Sequence, residues 1–238
     1  MKVISKPSPN FNQRADDQAP SYIILHYTGM KTAEAALERL CDPAAEVSAH
    51  YTIDEDGTLY QHVEPQERAW HAGKSYWRGI TDMNSAAIGI ELVNPGHEHG
   101  YRPFDQRQMT ILKGLLTGLI QDYGIAPQNI LGHSDIAPER RWYDPGELFP
   151  WAHFASEGIG VWPQPIEEDY EAVKNWTLDD YTSAARQYGY DPECGYEFVL
   201  RAFERHFMPE LILGTSQDEK QARARLACLL RLYGDKTG

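Results

Sequence analysis

Two short apolar runs constrain this chain more than anything else in it. Tyr22-Ile-Ile-Leu-His-Tyr27 and Ala86 to Val93 are rich in β-formers and largely lack the polar alternation of a half-exposed strand. Both read as buried strands, and buried strands need helices over the sheet they form. Asn94-Pro-Gly96 ends the second. The clearest helix runs from about Phe104 to Tyr123, where Met109, Leu112, Leu116, Leu119 and Tyr123 recur at spacings of three and four. Asp105 is placed to cap it, Gln108 falls at the capping-box position, and Gly124 stops it.

Smaller signals fill in the order. Thr32 can cap a short helix through Leu40. Ala49 to Ile53 and Thr58 to His62 flank Asp54-Glu-Asp-Gly57, a hairpin signal. Asn129 to Gly132 reads as a short strand leading into His133, and Leu148 to Ser156 as a short helix with Trp151 turned inward. Strands and helices alternate with a hairpin inserted, which favours an α/β fold with a central mixed sheet flanked by helices.

Composition changes after residue 162. Pro163-Gln-Pro-Ile-Glu-Glu-Asp169 is proline-rich and acidic and reads as a linker or strap, residues 163–173. Three helical patterns follow over residues 174–238. Thr177 with Asp180 makes a capping box, Asp191-Pro192 has the cap-then-proline form, and Ser216 with Glu219 makes another box before a helix closed by Gly234. About 65 residues in three helices make a marginal core, one expected to lean on the 1–162 domain.

The 42% hydrophobic and 24% charged shares fit an ordinary globular protein. A formal charge of -13 argues against a general nucleic-acid binder. No apolar run reaches the roughly 20 residues needed to cross a bilayer. The first residues hold no apolar block of signal-peptide length, so a cytoplasmic protein is expected, or a periplasmic one if a leader has been removed. Cys41, Cys194 and Cys228 form no CxxC pair, and Cys41 and Cys228, in apolar helical contexts, read as buried thiols.

Candidate chemistry sits at strand ends. His26 closes the first apolar run, and His133 and Asp144 lie in Gly132-His-Ser-Asp-Ile-Ala-Pro-Glu-Arg-Arg-Trp-Tyr-Asp-Pro-Gly146. Two imidazoles and a carboxylate make a zinc set with a fourth position open, the equipment of a hydrolase. Spacing alone leaves Asp135 as an alternative to Asp144, and His50 as an alternative to either histidine.

The chain resembles the zinc N-acetylmuramoyl-L-alanine amidases of the amidase-2 type, relatives of peptidoglycan-recognition proteins, and most of all their AmpD/AmiD-like group. The resemblance rests on Ile24-Leu-His26-Tyr-Thr28, Val47-Ser-Ala-His50-Tyr51, Arg68-Ala-Trp-His-Ala-Gly73, Ile88-Gly-Ile-Glu-Leu92, Gly132-His-Ser-Asp-Ile-Ala-Pro138 and Asp144-Pro-Gly146. It implies Zn2+ on His26, His133 and Asp144, with Glu91 handling the proton. The lysine that relatives carry two positions before the aspartate is replaced by Arg141, with one extra residue inserted and Arg140 as the alternative. Arg141 can stabilise an oxyanion but cannot donate a proton, since a guanidinium keeps its protons in a protein.

His50 and His71 lie in matched motifs, so the groove is their expected place, with His50 either packed beneath the metal or touching substrate. Trp70, His71 and Trp77 are available to line a sugar or peptide subsite, the tryptophans equally to be core. Asn94 follows the Glu91 strand and can hold the peptide stem. Ser134 and Asp135 can orient His133, since a ligating imidazole needs an outer acceptor. The implied substrates are peptidoglycan fragments or muropeptides, including 1,6-anhydro forms, cut between N-acetylmuramic acid and L-alanine during cell-wall recycling. A basic patch near Arg78, Arg102 or Arg141 is expected for the anionic stem. The tail resembles, more weakly, three-helix peptidoglycan-binding domains; Trp176, Tyr181, Tyr188, Tyr190 and Tyr196 are available there for sugar stacking or for core. The competing reading is a non-catalytic peptidoglycan-binding or sensing protein. A zinc protease of the His-Glu-x-x-His type and a Gly-x-Ser-x-Gly hydrolase lack their motifs here.

Overall fold

The computed structural model describes residues 2–15 and 18–234; the ends of the two domains read from the sequence, residue 1 and residues 235–238, lie outside them. In chain order the elements are β1 (Val3–Ser5), β2 (Phe11–Gln13), β3 (Tyr22–Tyr27), α1 (Ala33–Cys41), β4 (Tyr51–Ile53), β5 (Leu59–Gln61), β6 (Glu67–Ala69), α2 (Met83–Ala86), β7 (Ala87–Leu92), α3 (Gln106–Tyr123), β8 (Ile130–Gly132), α4 (His133–Ile136) and α5 (Trp151–Ser156). A helical tail follows: α6 (Glu167–Ala172), α7 (Leu178–Tyr188), α8 (Tyr196–Phe207), α9 (Pro209–Ile212) and α10 (Glu219–Tyr233).

Six strands form one mixed sheet in the order β1-β5-β4-β7-β3-β8, and β2 pairs with β6 in a separate ribbon. β3 is parallel to both β7 and β8, and β4 is parallel to β7, so these four strands end at the same edge. The hairpin β4–β5 supplies the antiparallel step expected from Asp54-Glu-Asp-Gly57.

Side chains alternate across the sheet, and the two faces serve different purposes. Ile23 and Leu25 of β3 and Ile88, Ile90 and Leu92 of β7 pack under α3, whose Leu112, Leu115, Leu116 and Leu119 are buried. Each such leucine contributes roughly 1.5–3 kcal/mol of burial. The opposite face is divided along its length. Its first half, Tyr22, Ile24 and Ala87, joins Trp77, Met83 and the tail residues Tyr188, Tyr190, Val199 and Phe203 in one continuous core. Its last position on each strand is polar: His26 on β3 and Glu91 on β7, direct register partners.

Several local expectations are corrected. Residues 163–173 are not a plain linker, because α6 forms within them and Arg231 of α10 grips its Asp169. Asp105 caps α3, but Gln108 does not complete a box; it is buried and its amide donates to the carbonyls of Ile53 and Val93, tying α3 to two strand ends. Asp191-Pro192 forms a turn, with Asp191 accepting from Glu193 N, and α8 starts four residues after Pro192. Asp218, not Ser216, caps α10. No helix among the described residues is long and apolar enough to cross a membrane.

Candidate active site

The parallel strand ends deliver the site. β3 ends on His26–Tyr27, β8 runs straight into His133, and a loop returns Asp144 to the same edge. His26 Nδ1 lies 2.9 Å from His133 Nδ1. Asp144 Oδ2 lies 3.1 Å from His133 Nδ1 and 3.4 Å from His26 Nδ1. All three residues are buried.

The outer hydrogen bonds fix which atoms face inward. The Ala72 carbonyl can only accept, so His133 Nε2 at 3.1 Å must carry the proton, leaving the Nδ1 lone pair toward the cluster. Arg140 donates to the same carbonyl at 2.5 Å. Tyr27 N–H donates to Asp144 Oδ1 at 2.7 Å, which leaves Oδ2 facing the imidazoles. His26 Nε2 meets His71 Nδ1 at 3.1 Å, so a protonated His26 Nε2 frees its Nδ1 in turn.

Lone pairs and a carboxylate oxygen converging at such separations repel one another unless a cation sits between them. The spacing is close to the ~3.3 Å edge of a tetrahedron with ~2.0–2.1 Å zinc bonds. Burial and the neighbouring His26 lower the His133 pKa to about 4. For Asp144, burial acts to raise the pKa, but the neighbouring His133 and His26 imidazoles outweigh it and lower it to about 2. Both groups are held in the forms that bind metal.

Glu91 faces His26 across the β3–β7 ladder, and its Oε2 is buried without a hydrogen-bond partner. Burial raises its pKa to about 7; the fields of His26 and Arg141 oppose the rise, and that of Asp144 adds to it. The site opens on a cleft of about 620 Å³ whose walls include Trp70, His71, Glu91, Arg141 and Asp144.

Below the metal-ligand layer lies a second imidazole layer. Gly89 N–H donates to His50 Nδ1, so His50 Nε2 carries the proton and donates to the Glu67 carbonyl. His50 is therefore a neutral, fully buried support, its pKa lowered to about 3 by burial and by Arg14. His71 packs edge-on against both His50 and His26 and reaches the cleft. It lies over Gly89, where a Cβ would come within 2.3 Å of its ring.

Other expected site residues lie elsewhere. Trp77 is fully buried and packs edge-on against Tyr188 and Tyr190 of the tail, not in the groove. Asn94 is buried and holds a turn, donating to the Arg102 carbonyl and accepting from Gly96 N. Asp135 does not orient His133; it accepts from Tyr190 Oη, His206 Nδ1 and Gly132 N. The Ser134 hydroxyl does not orient it either, since the partner of His133 Nε2 is the Ala72 carbonyl. Arg78 donates to tail carbonyls of Tyr188 and Tyr233, and Arg102 pairs with Glu55, so neither adds to a basic cleft. Arg39, Arg140 and Arg141 line it instead.

The extra residue before Asp144 is absorbed in a turn, where Asp144 N donates to the Arg141 carbonyl. Arg140 is committed to the carbonyls of Ala72 and Lys74. Arg141 lines the cleft and has no side-chain hydrogen bond or ion pair among the described residues. An aromatic wall that spacing did not reveal completes the cleft: Tyr27, His97, Trp142 and Tyr143. The position of Tyr27, directly after His26, was the one available signal. In the tail, Tyr181, Tyr188 and Tyr190 are buried, Trp176 is partly so, and Tyr196 is half exposed.

The N-acetylmuramoyl-L-alanine amidase family Amidase_2 matches residues 16–147. The chain is 33% identical to N-acetylmuramoyl-L-alanine amidase AmiD of Escherichia coli K12, over 98% of this chain and 91% of AmiD. It is 34% identical to 1,6-anhydro-N-acetylmuramyl-L-alanine amidase AmpD of the same organism, over 62% of this chain and 87% of AmpD. The structure of E. coli AmiD with anhydro-N-acetylmuramic acid-L-Ala-D-γ-Glu-L-Lys superposes with a TM-score of 0.76 at 33% identity, covering 93% of each chain. That of AmpDh3 from Pseudomonas aeruginosa gives 0.80 at 31% identity, covering 91% of this chain and 93% of AmpDh3. With its ligand set, its sheet and its tail all lying within these matches, the chain belongs to the N-acetylmuramoyl-L-alanine amidase family.

Proposed function

We propose that the protein is a zinc-dependent amidase that hydrolyses the bond between the lactyl group of N-acetylmuramic acid, or its 1,6-anhydro form, and L-alanine in peptidoglycan fragments. Cell-wall recycling is the setting this substrate implies. The observation that carries the reading is the convergence of His26 Nδ1, His133 Nδ1 and Asp144 Oδ2 beside the unpartnered carboxylate of Glu91. A cleft of about 620 Å³ fits a sugar with a short peptide, within the roughly 300–1,000 Å³ usual for small-ligand sites.

Amide hydrolysis needs an activated water, a stabilised oxyanion and a protonated leaving amine. Zinc held by His26, His133 and Asp144 would supply a Lewis acid for water and carbonyl. Glu91 is the proton carrier. With a pKa near 7 it can take the proton from water and return it to the departing nitrogen without a large penalty in either direction. Arg141 lends positive charge to the oxyanion but keeps its protons. The hydrogen bond from His133 Nε2 to the Ala72 carbonyl and that from Tyr27 N to Asp144 Oδ1 hold the two side chains in place throughout.

The test is mass-spectrometric: zinc-loaded protein is incubated with anhydro-N-acetylmuramoyl-L-Ala-D-γ-Glu-L-Lys. The expected products are the free anhydro-sugar acid and the intact tripeptide. Zinc uptake with no cleavage would instead establish the binding-only reading.

A further inference from the structure

Arg205 and His206 are consecutive residues of α8, and each reaches a different segment that carries a metal ligand. His206 Nδ1 donates to Asp135 Oδ2 at 2.7 Å, and Asp135 lies two residues after His133. Arg205 is 3% exposed. Its Nε donates to Glu147 Oε2 at 2.9 Å, and its Nη1 donates to the Trp142 carbonyl. Trp142 lies two residues before Asp144 and Glu147 three after it, so one guanidinium holds the ligand loop on both sides. The same guanidinium lies 5.7 Å from the centroid of the Trp142 ring.

The grip continues into the cleft. His97 Nε2 donates to Glu147 Oε1 at 3.0 Å, and its Nδ1 meets Tyr27 Oη at 3.1 Å. His97 stacks on Tyr143 with ring centroids 4.7 Å apart. Tyr27 N–H in turn holds Asp144. A guanidinium can serve a carboxylate and a carbonyl at once through its planar fork, whereas an ammonium is a single point charge. Buried as it is, Arg205 must keep these partners, since an unpaired interior charge is strongly destabilising.

We propose that Arg205 is a positioning residue: through Trp142 and Glu147 it sets the Asp144 loop and the His97–Tyr143 wall, making the tail part of the active site and not only a docking module. This inference rests on the zinc amidase reading above. It is tested by measuring zinc affinity, by competition with a chromophoric chelator, and kcat and KM on anhydro-N-acetylmuramoyl-L-Ala-D-γ-Glu-L-Lys at saturating zinc. Arg205→Met should weaken zinc about tenfold, as loss of an outer-sphere support does. Its KM should rise about tenfold while kcat stays within about threefold of wild type, because the reacting groups are untouched. Arg205→Lys should fall between the two, and Arg201→Met, on the exposed side of α8, should match wild type.

A folded Arg205→Met or Arg205→Lys protein with wild-type zinc affinity and KM overturns the proposal, as does an equal change in Arg201→Met. Should Arg205→Met fail to fold, Arg205→Lys and Glu147→Gln decide by the same two measurements. The wild-type protein is measured first; if it neither takes up zinc nor cleaves, the amidase reading fails before the role of Arg205 is tested.

Discussion

Glu91 lies directly across the β3–β7 ladder from His26, on the face of the sheet that is apolar one turn of the pleat earlier. A parallel pair in this register puts the proposed proton carrier and a proposed metal ligand side by side without any loop to position them. The same face is filled at its start by Ile24 and at β7 by Gly89, which leaves room for His71. The sheet thus changes from core to catalysis along two residues.

Replacing Glu91 by glutamine keeps the size and removes the titratable proton. Zinc binding should survive, and kcat should fall by about 10²–10⁴, the usual loss of a general acid–base. Parallel isothermal titration with zinc and turnover measurements check both halves. A variant that loses metal as well as rate would instead make Glu91 a structural partner of the ligands.

Gly89→Ala should act on the metal site from underneath. Its Cβ would fall 2.3 Å from the His71 ring, which cannot swing aside without leaving His26. Overpacking of this kind costs about 1–3 kcal/mol. Displacing the partner of a ligating imidazole should weaken zinc about 10–100-fold. Chemical denaturation and zinc competition on the same preparation read the two effects separately.

Glu147 links stability to acid. Burial opposes ionisation, but hydrogen bonds from His97 and Arg205 prevail and lower its pKa to about 2, below the roughly 4.3 of an unfolded glutamate. Its contribution is fully present above about pH 4.3 and is lost as pH falls from there toward 2. The amount is on the order of 2 kcal/mol for the side chain, which is only 11% exposed. Urea midpoints of the wild type and Glu147→Gln should therefore differ at pH 6 and draw together as pH falls from about 4 toward 2. A gap that stays constant with pH would remove this linkage.

Trp77 joins the sheet and the tail in one continuous core. It is fully buried between the sheet and the tail, edge-on to Tyr188 and Tyr190. Trp77→Ala should cost about 3–5 kcal/mol. Calorimetry should show one transition for wild type, with the sheet and the tail melting together. Two resolved transitions would mean that the shared core contributes little.

The framework was readable because it depends on local pattern. The strands around Ile24 and Ile90, the α3 stripe ended by Gly124, and the Thr177–Asp180 box follow from periodicity and caps. The candidate ligand trio was open on spacing alone and was implied only through motif resemblance; the structure brings the three side chains together. What escaped depends on contacts distant in sequence. Gln108 looked like a capping residue, but the carbonyls of Ile53 and Val93 offered better partners. Asp135 was expected to orient His133 and Trp77 was open between groove and core, and both are taken up by the tail, through Tyr190 and Tyr188. Arg205 carried no local signal, because its meaning lies in the partners Glu147 and Trp142, nearly sixty residues or more away.

The two arginines before Asp144 should separate cleanly. Arg140 is bound to the carbonyls of Ala72 and Lys74, and a Cβ at Gly73 would come within 2.8 Å of its Nη2. Arg141 has no such commitment and faces the cleft near Glu91. Arg141→Ala should therefore lower kcat by about 10²–10³, the loss expected for one oxyanion donor, with zinc affinity within about threefold of wild type. Arg141→Lys should recover part of the rate, since a positive charge returns without the fork. Arg140→Ala should instead weaken zinc and stability, because the Ala72 carbonyl that orients His133 loses a second donor. The opposite pattern, with rate lost at Arg140 and metal lost at Arg141, would show that the inserted residue exchanges their roles.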